Sequence, residues 1–227
     1  MSRPSVSSDP QSGPVVSADY RGNSSEAYDW RVSLTVPSSI SAPSSKIGAP
    51  LHATGDKMIF PFNPSIIMGQ SAQYSDISPT HSNYAFNAYQ SSRISDITIS
   101  GEFMVENETD AKYWLASLHF LRTVTKMFYG NSNNQGNPPP VSRLNGYGRY
   151  VLNNIPVVIK DFTVDLMPDI DYIPCEIGSS VNYVPVQSNV QVTVAPNYSR
   201  RTVAKFNLKT FARGWYTNGG SANDGFI

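Results

Sequence analysis

The residues able to do chemistry are few and scattered. The chain has three histidines, His52, His81 and His119, and one cysteine, Cys175. No histidine lies near another or near the cysteine, so no metal-ligand spacing is present. His119 shares a predicted helix face with Lys112 and Lys126, a poor setting for a cation. Asp161 and Asp165 are four residues apart on a predicted strand and so share a face, while Asp169 and Asp171 follow in a loop. A carboxylate pair can do acid–base work, but no nucleophile or substrate pocket is suggested beside it. Solvated carboxylates are the simpler reading. The chain also lacks a Gly-x-Gly-x-x-Gly run, a P-loop and a Gly-x-Ser-x-Gly elbow. These observations predict a protein that is not an enzyme, with no catalytic residues, cofactor or metal.

The element that would position anything else is a helix predicted over 111–129. Asn107 or Thr109 can cap its start, and Glu108 and Asp110 place negative charge in the first turn. Arg122 and Lys126 fall toward the C-terminal end, and Gly130 can end the helix in the left-handed conformation. On a helical wheel Lys112, His119, Arg122, Thr123 and Lys126 share one polar sector. The remaining arc is apolar over roughly 200°, about twice the stripe needed to sit on one core. We therefore expect one apolar face to pack on the parent sheet and another to meet a second copy. Tyr113, Trp114, Phe120, Leu121, Val124, Met127 and Phe128 are the expected subunit-interface residues.

The rest of the chain is mainly strand. Residues 1–56 read as a Ser/Pro-rich arm holding one short strand around Trp30, Val32, Leu34 and Val36. Residues 57–213 read as the β domain. Residues 57–64 are apolar but interrupted by Pro61 and Pro64, which suits an edge or bulged strand. The clearest period-two strand follows, with Ile97, Ile99, Gly101, Phe103 and Val105 on one side. A hairpin turning at Asn153-Asn154 is expected, then an irregular loop over 168–185 and a strand carrying Val190, Val192 and Val194. Residues 200–213 fit strand or short helix. Residues 214–227 are Gly-, Asn- and Ser-rich and read as a mobile tail. The expected fold is an antiparallel β-sandwich or barrel with one long helix packed outside.

The 227 residues carry 17 basic and 17 acidic side chains, so nothing predicts general affinity for nucleic acid or membrane. Charged residues make up only 15%, beside 13 Tyr and 10 Phe. A nearly neutral, Tyr-rich surface suggests cover within an assembly. One cysteine cannot form an intrachain disulfide, and no signal-peptide core or run of 18 apolar residues is present. Assembly in a cytoplasm is expected.

Three stretches carry a family resemblance. The helix Tyr113–Gly130 is followed by Pro138-Pro139-Pro140-Val141-Ser142-Arg143-Leu144-Asn145-Gly146-Tyr147-Gly148, and then by Val190–Arg200 ending in Tyr198-Ser199-Arg200. Together they resemble the phage tail-tube fold family, closest to the tail-tube initiator or baseplate–tube junction proteins of contractile-tailed phages. The likeness spans roughly 57–213, and the arm before it matches nothing in that pattern. It implies a homo-hexameric ring at the baseplate end of a phage tail, in the virion. Tail-tube and baseplate hub proteins would lie above and below, and DNA would pass the lumen without specific binding. The repeating tail tube protein shares this fold and remains an alternative. A carbohydrate-binding β-sandwich is the other, with Trp30, Trp215 and loop tyrosines as its aromatic platform.

Overall fold

The structure, a computed structural model, describes residues 30–42, 44–130, 135–148, 150–216 and 225–227. In chain order the elements are β1 (Ser33–Thr35), α1 (Ala49–Ala53), β2 (Lys57–Ile59), β3 (Ser65–Ile67), β4 (Gln70–Ile77), β5 (Phe86–Ile94), β6 (Ile97–Met104) and α2 (Glu108–Val124). They continue as β7 (Ser142–Gly146), β8 (Leu152–Asp165), β9 (Tyr172–Ile177), β10 (Ser180–Pro185), β11 (Gln187–Pro196), α3 (Arg200–Val203) and α4 (Leu208–Ala212). Among the described residues strand outweighs helix, 41% to 17%, and every strand pairing is antiparallel, so the fold is mainly β.

Seven strands form one sheet in the order β2-β1-β7-β8-β11-β6-β3, and β4–β5 and β9–β10 are separate two-stranded hairpins. The alternation legible in the sequence builds the inner face. Val190, Val192 and Val194 lie across from Gly101, Ile99 and Ile97 on one side and Val164, Phe162 and Ile159 on the other. These side chains face α2, and Thr98, Ser100, Gln191, Thr193 and Thr163 turn the other way.

The sheet must curl. Its outermost strands, β2 and β3, are joined by only residues 60–64. Six chain steps from Ile59 to Ser65 reach at most about 20 Å, whereas seven flat strands would put the edges about 29 Å apart. The linking segment fills the gap. Phe60 donates its N–H to the Val32 carbonyl at 3.0 Å, and its ring meets Phe103 edge-on at 5.7 Å. Tyr147 donates its hydroxyl to the Pro64 carbonyl at 2.9 Å. The result is a single curled seven-stranded sheet, antiparallel throughout as the sequence leads one to expect.

Gly101 is what lets Phe60 lie there. A Cβ at Gly101 would overlap Cδ1 and Cε1 of the fully buried Phe60 ring and come within 3.2 Å of Pro64 Cβ. Gly101→Ala is expected to destabilise the fold by about 1–3 kcal/mol, the usual cost of overpacking. A urea unfolding curve with an unshifted midpoint would show that the ring moves aside freely.

Several expectations change. The arm expected over 1–56 is divided: residues 1–29 and 43 lie outside the described residues, and residues 30–42 and 44–56 belong to the body. Val32 and Leu34 are wholly buried, β1 is paired on both sides, and Leu51 of α1 joins the same core. The tail expected over 214–227 also changes. Phe226 is buried and stacks on Tyr198 at 4.7 Å, and Gly225 donates its N–H to the Asn154 carbonyl at 3.1 Å. The turn expected at Asn153-Asn154 lies inside β8, where the pairing with β7 shifts register. Asn154 has φ 53 and donates its N–H to Asn145 Oδ1 at 2.8 Å. The loop expected over 168–185 is largely the β9–β10 hairpin. Among the described residues the single expected helix becomes four, one long and three short.

Candidate assembly surface

The helix α2 begins at Glu108, three residues before the expected start, with its expected cap in place. Asn107 caps it by accepting the Asp110 N–H at 2.9 Å, and Glu108 pairs with Lys112 at 2.8 Å. It ends five residues early, at Val124. Thr125 turns its hydroxyl back to the Leu121 and Arg122 carbonyls, and the Lys126 N–H bonds the Thr123 carbonyl. Gly130 does take a left-handed φ of 88, but beyond the helix.

The expected subunit-interface set divides on inspection. Tyr113, Trp114, Phe120, Leu121 and Val124 are each at most 5% exposed within a single chain. Their surface is already covered, so we correct their assignment: they are core residues. The second apolar face of α2 is occupied by the chain itself. On one flank lie Val36, Ile40 and Leu51, and the β9–β10 hairpin packs on α2 as well. Polar atoms fix this packing. The Tyr113 hydroxyl donates to the Ile59 carbonyl at 2.8 Å and accepts the Ile59 N–H at 2.6 Å. Burial holds that hydroxyl protonated far above the usual tyrosine range. Trp114 Nε1 donates to Ser188 Oγ on β11 at 2.8 Å. Met127 and Phe128 lie past the helix; Met127 is exposed and Phe128 half-buried. They alone of the seven offer surface to a neighbour.

Asp110 is buried at the start of α2. Burial raises its carboxyl above the ordinary value, the Glu106 charge adds to this, and backbone N–H groups of Glu106 and Asn107 oppose it. The folded state therefore binds this proton more tightly than the unfolded chain does. Its stabilising share is full below the unfolded value of about 3.9 and is lost as pH rises through the raised folded value. The difference in urea midpoint between wild type and Asp110→Asn should move against wild type as pH increases from about 4 to 7. A pH-independent difference would contradict the assignment.

The candidate acid–base groups do not converge. Asp161 and Asp165 stand exposed on the open face of β8, across from Thr193 and Asn189. His81 is exposed with φ 62, and His119 is exposed at the rim of a cleft between α2 and residues 36–56. In that cleft Ser41 Oγ donates to Asp56 Oδ1 at 3.0 Å, and His52 Nδ1 lies 3.2 Å from the same oxygen. Serine and histidine both address the aspartate and not each other, so no base is aligned on the hydroxyl. Cys175 is buried, and burial pushes its thiol up, away from the reactive thiolate. Among the described residues no three His, Cys, Asp or Glu side chains converge on a point. Trp30 and Trp215 are exposed, but Tyr147 takes the Trp30 carbonyl while Trp215 lies past α4, far along the chain.

Two unpartnered surfaces emerge instead. The first is the β4–β5 hairpin. It continues β3 and β6 outward, bridged by the Ser95 N–H to the Gly69 carbonyl at 2.8 Å, and runs for eight pairs, about 26 Å. Both faces are bare: Tyr74, Ile77, Phe86 and Tyr89 are 54–63% exposed, although Tyr74 and Tyr89 touch each other edge-on. From Met68 to Ser95 the only Asp, Glu, Lys or Arg residues are Asp76 and Arg93. The second is the open face of the seven-stranded sheet. It presents Ser, Thr, Asn and Gln with Glu102, Asp161 and Asp165, and Lys160 is paired to Asp96 at 2.7 Å. The sequence held a signal for the hairpin: residues 68–89 alternate with no charged face and with aromatic residues on both.

No protein-family model matches the chain, and no curated protein matches it.

Proposed function

We infer that the chain is a structural subunit that builds a ring with copies of itself and extends that ring into a tube. The observation that carries this reading is the β4–β5 hairpin. A two-stranded ribbon bare on both faces is marginal in water, and its two free edges are templates for further strands. Uncharged aromatic surface of this extent marks a contact site. The open sheet face fits the inner wall of such a tube: hydroxyls, amides and a few carboxylates give DNA no phosphate grip and let it slide. Taken with the resemblance of the α2 region and the Val190–Arg200 strand, the reading becomes specific. The protein is a phage virion component forming a homo-hexameric ring at the baseplate end of a tail. It starts or extends the tube through which DNA leaves, in contact with tube and hub proteins.

Light scattering after gel filtration and negative-stain microscopy test this directly. Rings or short tubes of even diameter are the expected result. A chain that stays monomeric at high concentration, alone and with tail extracts, would remove the reading.

A further inference from the structure

The two ends of the sheet carry opposite charge. β11 is antiparallel to both β6 and β8, so its first residues share an end with the last residues of its neighbours. At that end Glu102, Glu106, Asp165, Asp169 and Asp171 are all exposed. Backbone bonds hold them side by side: the Val105 N–H reaches the Val186 carbonyl at 2.7 Å, and the Val186 N–H reaches Asp171 at 2.9 Å. Leu166 and Tyr172 are exposed among them.

The opposite end of β11 leads, through the Asn197 N–H on the Pro156 carbonyl at 2.8 Å, into α3 and α4. Arg200, Arg201, Lys205, Lys209 and Arg213 are all exposed there, and no Asp or Glu lies between Pro196 and Tyr216. Among the described residues none of these five cations, and none of the five carboxylates, is held in an ion pair. Val203, Leu208 and Trp215 are 53–71% exposed between the cations. The unit is not loose. Phe206 stands within 5.1–5.9 Å of the Phe211, Tyr216 and Phe226 rings, and Ser199 and Asn207 cap the two short helices.

We propose that the basic, apolar end formed by α3 and α4 docks on the acidic end of a second copy of this chain, head to tail along β11. The ends are separated by the ten residues of β11, about 33 Å. That exceeds the screening length of about 8 Å at physiological salt, so they cannot neutralise each other within one molecule. Each end combines exposed apolar side chains with exposed charges, the mixture found in specific interfaces. The charges set polarity and discourage like ends from meeting. A head-to-tail contact between the two opposite ends of the sheet is heterologous, and with its operator running along β11 it adds copies along an axis instead of closing into a ring. The inference rests on the tube reading above and assigns the surfaces that join one ring to the next.

The experiment uses the full chain in two charge-reversed forms. One carries Arg200→Glu, Arg201→Glu and Lys209→Glu; the other carries Asp165→Lys, Asp169→Lys and Asp171→Lys. All six positions are exposed, and matching thermal melts by circular dichroism establish that both forms fold. Stacks are counted by microscopy and sedimentation velocity. Wild type should stack, and its stacks should shorten in about 1 M NaCl, where screening falls to about 3 Å. Each variant alone should give single rings, and an equal mixture should restore stacks. Rings of either variant that stack as wild type does, or a mixture that stays unstacked, overturn the proposal and leave the ring intact. Wild type that never forms rings overturns both.

Discussion

Replacing Tyr113 by alanine is expected to destabilise the fold strongly rather than to separate the protein's copies. Tyr113 is 3% exposed and spans from α2 to β2, an outer strand of the sheet. There its hydroxyl satisfies both backbone groups of Ile59. Those groups have no further strand to pair with, so the phenol serves in place of a neighbouring strand and covers the edge. Tyr113→Phe keeps the ring and removes the bonds. It should cost about 1–3 kcal/mol, because a buried donor and acceptor lose their partner together. Tyr113→Ala adds a cavity and should cost about 3–5 kcal/mol, a large share of the roughly 5–15 kcal/mol that holds an ordinary domain. Urea unfolding with an unchanged slope would measure both. A Tyr113→Ala chain with the wild-type midpoint that had only lost the ability to form rings would return this residue to the interface.

The burial of Tyr113 within one chain has a physical source. The wheel correctly found that α2 has more apolar surface than one sheet face requires, and the polar sector of His119, Arg122 and Thr123 is indeed solvent-facing. What the periodicity could not show is which segment covers the surplus. Residues 37–56 fall in the Ser/Pro-rich arm of the sequence expectation, yet Ile40 and Leu51, with Val36 at the end of the strand before them, lie against α2. The β9–β10 hairpin was hidden in the same way. Pro174 and Pro185 argue against strands, but this two-stranded element has free edges where a missing N–H costs little. Its turn at Gly178, with φ 68, is an ordinary left-handed glycine. Strands with long clean alternation, β6 and β11, were legible because burial on one face writes period two directly into the sequence. Strand order, sheet curl and the route of residues 60–64 are set by contacts between distant segments and leave no local trace.

The misplaced turn at Asn153-Asn154 belongs to another kind. Two asparagines are a fair turn signal, and Asn154 does adopt the left-handed conformation that such signals report. Here it relieves a register shift inside a long strand instead of reversing the chain. Asn145 accepts the N–H that the shift would leave unpaired. Gly146 next to it is tight for a different reason: a Cβ there would lie 3.0 Å from Val32 Cγ2 on β1. The local chemistry is that of a turn, and only the partner strand tells a bulge from a turn.

With α2 assigned to the core, the hairpin becomes the residue set on which assembly should depend most. Substituting Tyr74, Ile77, Phe86 and Tyr89 together by serine is expected to abolish rings while leaving the body of the protein folded. All four are more than half exposed in the single chain, and the ribbon stands apart from the α2 core. Their removal therefore opens no cavity, and surface changes of this kind usually stay within about 0.5 kcal/mol each. The loss on association should be far larger, because aromatic anchors supply most of the energy of an interface. The paired readouts are a thermal melt and a light-scattering mass. The expected result is a melt close to wild type with a monomeric mass, the reverse of the pattern expected for Tyr113. If the quadruple variant still forms rings, the hairpin is dispensable and the subunit contact must be sought on Met127, Phe128 and the sheet edges. If it instead unfolds as a whole, the ribbon is holding up the body through β3 and β6, and its bare faces are no measure of what it binds.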